Sequence, residues 1–147
     1  MEEERTGPSV TMQVMRGCLV VPIQVELTDG LMLQIQQDIL EGIDKTGVKG
    51  VVIDVSGVSI LDYFLGQKIA DTARMAYLMG ATTVVTGVRP EVAASLVDLG
   101  FDFKDIETAL TLEEAYRKLE PVLHPEEEPE EAEEAEEPEE EHGPDVE

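Results

Sequence analysis

Two short β-branched runs, Gly50 to Val55 (GVVIDV) and Thr82 to Val88 (TTVVTGV), constrain the fold more than any other feature of the chain. A strand with one wet face alternates apolar and polar residues. These runs lack that alternation and are mostly β-branched, the pattern of strands covered on both faces at the centre of a sheet. Between them, Leu65, Ile69, Ala73, Ala76 and Tyr77 share one helical face of the stretch from Asp62 to Met79, and Gly80 closes it. Strand, helix, strand in that order predicts a parallel pair joined by a right-handed crossover, hence an α/β domain.

The flanking segments extend this unit. Val10 to Met15 and Cys18 to Val25 are apolar stretches parted by Arg16-Gly17, which suggests an antiparallel hairpin. Pro22 lacks a backbone donor, so the second strand should be an edge there or carry a bulge. Thr28 or Asp29 can cap a helix whose stripe runs Leu31, Ile35, Ile39 and Ile43, widened by Met32 and Leu40, and Gly47 can end it. Pro90 suits a first helical position ahead of Val92, Leu96 and Leu99, with Gly100 as the stop. A short last strand fits within FDFKDIETAL. Thr111 and Glu114 then form a capping box ahead of Leu112, Ala115, Tyr116 and Leu119, in a helix expected to end before Pro121. The expected architecture is a small mixed sheet, an N-terminal hairpin plus parallel βαβ units, packed with about four helices.

Charge divides the chain. From His124 onward there are 14 acidic residues and no Lys or Arg, leaving 19 acidic residues against all 10 basic ones in the remainder. Repulsion and the scarcity of large apolar side chains predict a disordered acidic tail over 124–147, a domain over 8–123 and a flexible N-terminus over 1–7. A negative body with a more negative tail disfavours nucleic acid and anionic membranes as partners. The start MEEERTG lacks the basic and apolar regions of a signal peptide, and no apolar run approaches the roughly 18 residues of a membrane span, so a cytoplasmic protein is expected. The single cysteine, Cys18, lies in an apolar run and reads as a packed thiol.

Catalytic chemistry finds little support. Both histidines, His124 and His142, fall in the acidic tail, so the domain has no imidazole for proton transfer or metal binding. No Gly-x-Gly-x-x-Gly follows a strand, and Gly47-Val48-Lys49-Gly50 is too short for a phosphate loop and lacks its Ser or Thr. Asp54, Asp62 and Asp71 have no partner at a spacing that identifies a catalytic pair. Asp62 reads as an N-cap. No catalytic residue, cofactor or metal ligand is assigned.

The run VVIDVSGVSILDYFLGQKIADTARMAYLMGATTVVTGVRPEVAASLVDLG resembles the STAS family (sulphate transporter and anti-sigma-factor antagonist), and the order of elements agrees. Within the family the chain most resembles RsbS-type stressosome proteins over roughly 10–120, through CLVVPIQVELTD, GVVID, LMGA, TGVRPEVA and DIETALTLEEA. The resemblance implies a non-enzymatic scaffold that self-associates into a large assembly with RsbR-like STAS paralogues. It also implies capture of an RsbT-like switch serine/threonine kinase until phosphorylation releases it, in control of a stress response. The alternative it leaves open is a stand-alone anti-sigma-factor antagonist that binds an anti-sigma kinase one-to-one. The family's phosphoacceptor is a Ser or Thr directly after the Asp that opens the second helix, and here Tyr63 follows Asp62. The implied docking and regulatory loop contains Ser56, Ser59, Asp62, Tyr63, Gly66 and Gln67. Ser59 and Ser95 are alternative phosphosites, Ser56 is expected to be less accessible, and Phe64 is expected to turn into the core.

Overall fold

The computed structural model describes residues 10–126 apart from 103 and 105. The expected flexible N-terminus and disordered tail therefore lie almost wholly outside the described residues. The chain forms β1 (Gln13–Met15), β2 (Cys18–Pro22), α1 (Asp29–Thr46), β3 (Gly50–Asp54), α2 (Tyr63–Leu78), β4 (Thr82–Thr86), α3 (Pro90–Asp98), β5 (Glu107–Ala109) and α4 (Leu112–Leu123). The strands lie in sequence order β1-β2-β3-β4-β5, with β1 antiparallel to β2 and the remaining pairs parallel.

Successive crossovers of one hand in one direction place their helices on the same side of a sheet. Accordingly α1, α2 and α3 cover the face carrying Leu19, Val21, Val51, Ile53 and Val85. The alternate residues Cys18, Val20, Val52 and Val84 meet α4 through Ala115, Tyr116 and Leu119 on the other face. Two covered faces are the reason β3 and β4 are rich in β-branched residues and carry no charge except Asp54 at the end of β3. From α1, Met32, Ile35, Ile39 and Ile43 are buried, each contributing roughly 1.5–3 kcal/mol by leaving water. Burial pushes the Cys18 thiol pKa up, with the Arg16 charge opposing it more weakly, so the side chain acts as core.

Helix ends follow the local sequence closely. The Thr28 hydroxyl accepts from Leu31 N, and Gly47, at φ 71°, donates its N–H to Ile43 O. Thr111 accepts from Glu114 N while the Glu114 carboxylate accepts from Leu110 N, close to the expected capping box. At the end of α3, Gly100 N and Phe101 N donate to Val97 O and Leu96 O, a Schellman closure that turns the Phe101 ring inward.

Three expectations need correction. α4 runs through Pro121 to Leu123, because Val122 and Leu123 still pack on the Leu119 side and the proline interrupts the helix only at its last turn. Tyr77, expected on the buried face of α2, is 72% exposed; β5 pairs with β4 only from Val84 onward, so the sheet is short beneath it. The two hairpin strands are shorter than their apolar runs, and β2 stops at Pro22. Pro22 lies beyond the β1 pairing, which ends at Val20, so its missing donor breaks no ladder bond and the strand is locally an edge as expected.

Candidate functional site

The residues singled out from the sequence converge at the carboxyl ends of β3 and β4, where the loop 55–62 leads into α2. Asp54 Oδ1 accepts the Ser56 amide at 3.0 Å and starts the turn. Gly57 packs against the chain at Ile23-Gln24, where an added Cβ would lie 2.8 Å from Gln24 Cα. Gly87, at φ +80°, lies so close that a Cβ would meet Asp54 Oδ1 at 2.7 Å and Ser56 Cβ at 2.8 Å. Arg89 Nε donates to Ser56 O at 3.0 Å, tying the start of α3 to the same turn.

A carboxylate from another segment holds the middle of the loop. Glu26 accepts the Ser59 hydroxyl at 2.8 Å and the Ser59 amide at 3.2 Å. The Ser59 hydroxyl is the chief cause that holds the Glu26 carboxyl below the ordinary glutamate range. The Ser59 amide comes next, and the Arg89 charge adds to both. Val58 and Leu61 are buried on either side of this clasp.

Asp62 then caps α2, its Oδ1 accepting Leu65 N at 2.9 Å. Tyr63 follows with its ring 46% exposed and set edge-on to Phe101, centroids 5.7 Å apart at 77°. Gly66 is buried, and a Cβ there would press on Phe101 at 3.2 Å and Leu96 at 3.3 Å, so its contribution is to let that ring in beneath Tyr63. Phe64 corrects an expectation: it stands outside the core, 38% exposed, with the Lys68 ammonium 5.5 Å from its ring centroid. Leu65 takes the inward position instead. Gln67 is half-buried and directs its amide toward Asp71 at 3.4 Å. Burial disfavours the charged form of Asp71, but hydrogen bonds from Arg74, Lys68 and Gln67 outweigh it and leave the carboxyl below its usual range.

The arrangement gathers Ser56, Ser59, Asp62, Tyr63, Gly66 and Gln67 into one end of the domain. Ser95 stands apart, exposed on α3. The accessibilities of the two loop serines are the reverse of expectation: Ser56 is exposed at the strand end and Ser59 is half-buried by its clasp. Three participants escaped the sequence reading. Glu26 and Arg89 act 33 positions away from their loop partners, a spacing with no local signature. Phe101 did leave a signal, an aromatic directly after the Gly100 helix stop. Among the described residues no group of His, Cys, Asp and Glu is disposed to hold a metal ion, and no helix is long and apolar enough to cross a membrane.

Similarity to known proteins follows the same frame. The RsbT co-antagonist protein RsbRD of Bacillus subtilis is 29% identical over 104 residues, covering 71% of this chain but 37% of RsbRD, so the chain spans about two fifths of that relative. YezB of the same organism is 35% identical over 72 residues, covering 49% of this chain and 74% of YezB. Among solved structures, a serine-to-glutamate variant of RsbS from Moorella thermoacetica superposes with a TM-score of 0.65 at 32% identity, over 77% of this chain and 96% of that one. A chain of the stressosome, described as a signal integration and transduction hub, gives 0.61 at 28% identity over 78% of this chain and 99% of its own length. The family model for the STAS domain matches residues 9–115, and the chain is a member of the STAS domain family.

Proposed function

We propose that this protein is a non-enzymatic scaffold and partner-docking component of a stressosome-type assembly, joining RsbR-like STAS paralogues and holding an RsbT-like switch kinase. The observation that carries the reading is the braced, half-exposed Tyr63 ring with Phe64 beside it at the first turn of α2. A rigid aromatic pair over an immobilised loop offers a large contact area at small entropic cost, the usual make-up of an energetically dominant interface position. Likeness to RsbS and to a stressosome chain over nearly their whole lengths supports the same assignment.

The phosphoswitch differs from the family pattern. Tyr63 takes the acceptor position, and a serine/threonine kinase has no short hydroxyl to modify there. Ser59 is the nearest substitute in the loop, but its hydroxyl is committed to Glu26, and a phosphoryl group would bring about two negative charges against that carboxylate. Release is therefore governed on the paralogue. Incubation with the cognate kinase and ATP, followed by mass spectrometric mapping of both proteins, tests this. Phosphate on the paralogue alone is expected, and stoichiometric phosphate on Tyr63 or Ser59 of this chain contradicts it. Tyr63→Ser should restore modification if the surrounding loop is still recognised.

A further inference from the structure

A second apolar row runs along α1 beside the buried one. Met32, Ile35, Ile39 and Ile43 already fill the core side of this helix, yet Leu33 is 46% exposed and Leu40, on the same face two turns later, is only half-buried. With Met79, the C-cap of α2, they line a groove of about 480 Å³ between the two helices. Gln36, which also lines it, donates from Nε2 to Thr72 Oγ1 at 2.9 Å, and Thr72 donates on to Lys68 O at 2.7 Å, so α1 is tied to α2 beside the groove. Met75, one turn before Met79, is exposed as well and extends the apolar surface.

The rim of this groove is acidic. Glu41 and Asp44 stand there near the C-terminal end of α1, both exposed, and neither has an ion-pair partner among the described residues. No Lys or Arg among the described residues lines it. A carboxylate in the last turn of a helix faces the negative end of the macrodipole and costs the helix stability, with Lys45 alone to offset it. A residue that breaks a local rule with no gain to the fold marks a place where binding is expected. Leu33, Glu41, Asp44 and Met79 are all in solvent, so the groove is shallow and suits a segment of protein better than an enclosed small molecule.

We propose that this groove docks a basic amphipathic helix of a partner protein, with Leu, Ile or Met at intervals of three and four residues and Lys or Arg beside them. The apolar side chains lie on Leu33, Leu40 and Met79, and the cations reach Glu41 and Asp44. Exposed methionines adapt to differing apolar side chains, and a helix laid in a groove is read through that spacing. A second copy of this chain is the poorer occupant on charge: residues 1–123 hold 19 acidic residues against 10 basic ones, and the whole chain carries a net charge of −23. The assignment does not depend on the docking role of the Tyr63 loop, which opens α2 whereas Met79 ends it.

The test titrates the full chain with a fluorescent amphipathic peptide of Leu and Lys, about 14 residues or four helical turns long. A scrambled peptide of the same composition is the control. At physiological ionic strength the ordered peptide should bind saturably and at least about fivefold more tightly than the scrambled one, with amide NMR shifts centred on Leu33, Leu40, Glu41 and Met79. Leu33→Ser, at an exposed position, should weaken that binding about fivefold. Glu41→Gln with Asp44→Asn should weaken it about fivefold too, as for two exposed ion pairs. The equal charge change of Asp98→Asn with Glu120→Gln, on α3 and α4, should alter it less than about twofold. No saturable binding, equal binding of the scrambled peptide, shifts centred elsewhere, or equal effects of the two charge changes would overturn the proposal. Self-association of the chain that Leu33→Ser abolishes would assign the groove to a second copy and overturn it as well.

Discussion

At its first turn α2 is fixed from several directions: Asp62 caps it, Phe101 and Leu96 close around Gly66, and the preceding loop is held by Glu26, Arg89 and the Gly87 backbone. At its last turns the same helix is far less enclosed, with Leu78 85% exposed and Thr83 lacking a partner below. The two ends of one helix thus differ in how firmly they are held. The first end has its conformation settled before any partner arrives, so contacts there lose little to ordering. The second end leaves Leu78 in solvent and one buried hydroxyl, that of Thr83, unpaired.

Equivalent substitutions at the two ends should break the molecule unequally. Gly87→Ala places a Cβ within 3 Å of Asp54 and Ser56 at a positive φ and should lower stability by about 3 kcal/mol in urea denaturation. Gly80→Ala, at φ +94° with nothing within 4 Å, carries the backbone strain alone and should cost about 1 kcal/mol. Equal losses would mean that the close approach at the loop contributes nothing.

Tyr63→Ala sharpens the contrast between stability and docking. The ring is half-exposed and meets Phe101 edge-on, so its removal should cost no more than about 1.5 kcal/mol of stability. Affinity for the proposed partner, read by calorimetry against an RsbT-like kinase, should fall by about 2 kcal/mol or more. A stability loss with unchanged affinity would reassign the ring to structure.

Smaller effects come from single polar contacts. Thr83→Val removes a buried hydroxyl with no partner and should leave the midpoint of denaturation unchanged or raise stability by up to about 1 kcal/mol. The Glu26 clasp gives a pH signature. Its carboxyl is depressed in the folded state, so its contribution is present above the unfolded glutamate pKa and fades as pH falls through the lower folded value. Acid should therefore loosen the Ser59 segment first, seen as a loss of protection of the Ser59 amide, relative to its intrinsic exchange rate at each pH, before any loss in β3. Glu26→Gln should flatten that dependence.

Much of the frame was legible in the chain because it rests on local rules. The β-branched runs became β3 and β4, Thr28, Asp62 and Thr111 became caps, and Gly47, Gly80 and Gly100 ended helices. The misplacements share a tertiary cause. Tyr77 fits the helical stripe but meets no sheet, because the length of β5 is not written in α2. Phe64 and Leu65 are adjacent apolar residues, and periodicity alone does not say which turns inward. Pro121 is a helix breaker by rule, overridden by the packing of Val122 and Leu123. At the site, Asp62 and Tyr63 stood out by position, whereas Glu26 and Arg89 reach it only through the folded chain.

The central claim is assembly through a preformed docking end. Light scattering on the chain purified alone and after co-expression with an RsbR-like STAS paralogue tests it most directly. The expected result is a mixed particle many times the 16.1 kDa of one chain, containing both proteins. A strictly monomeric chain under both conditions would contradict the scaffold assignment.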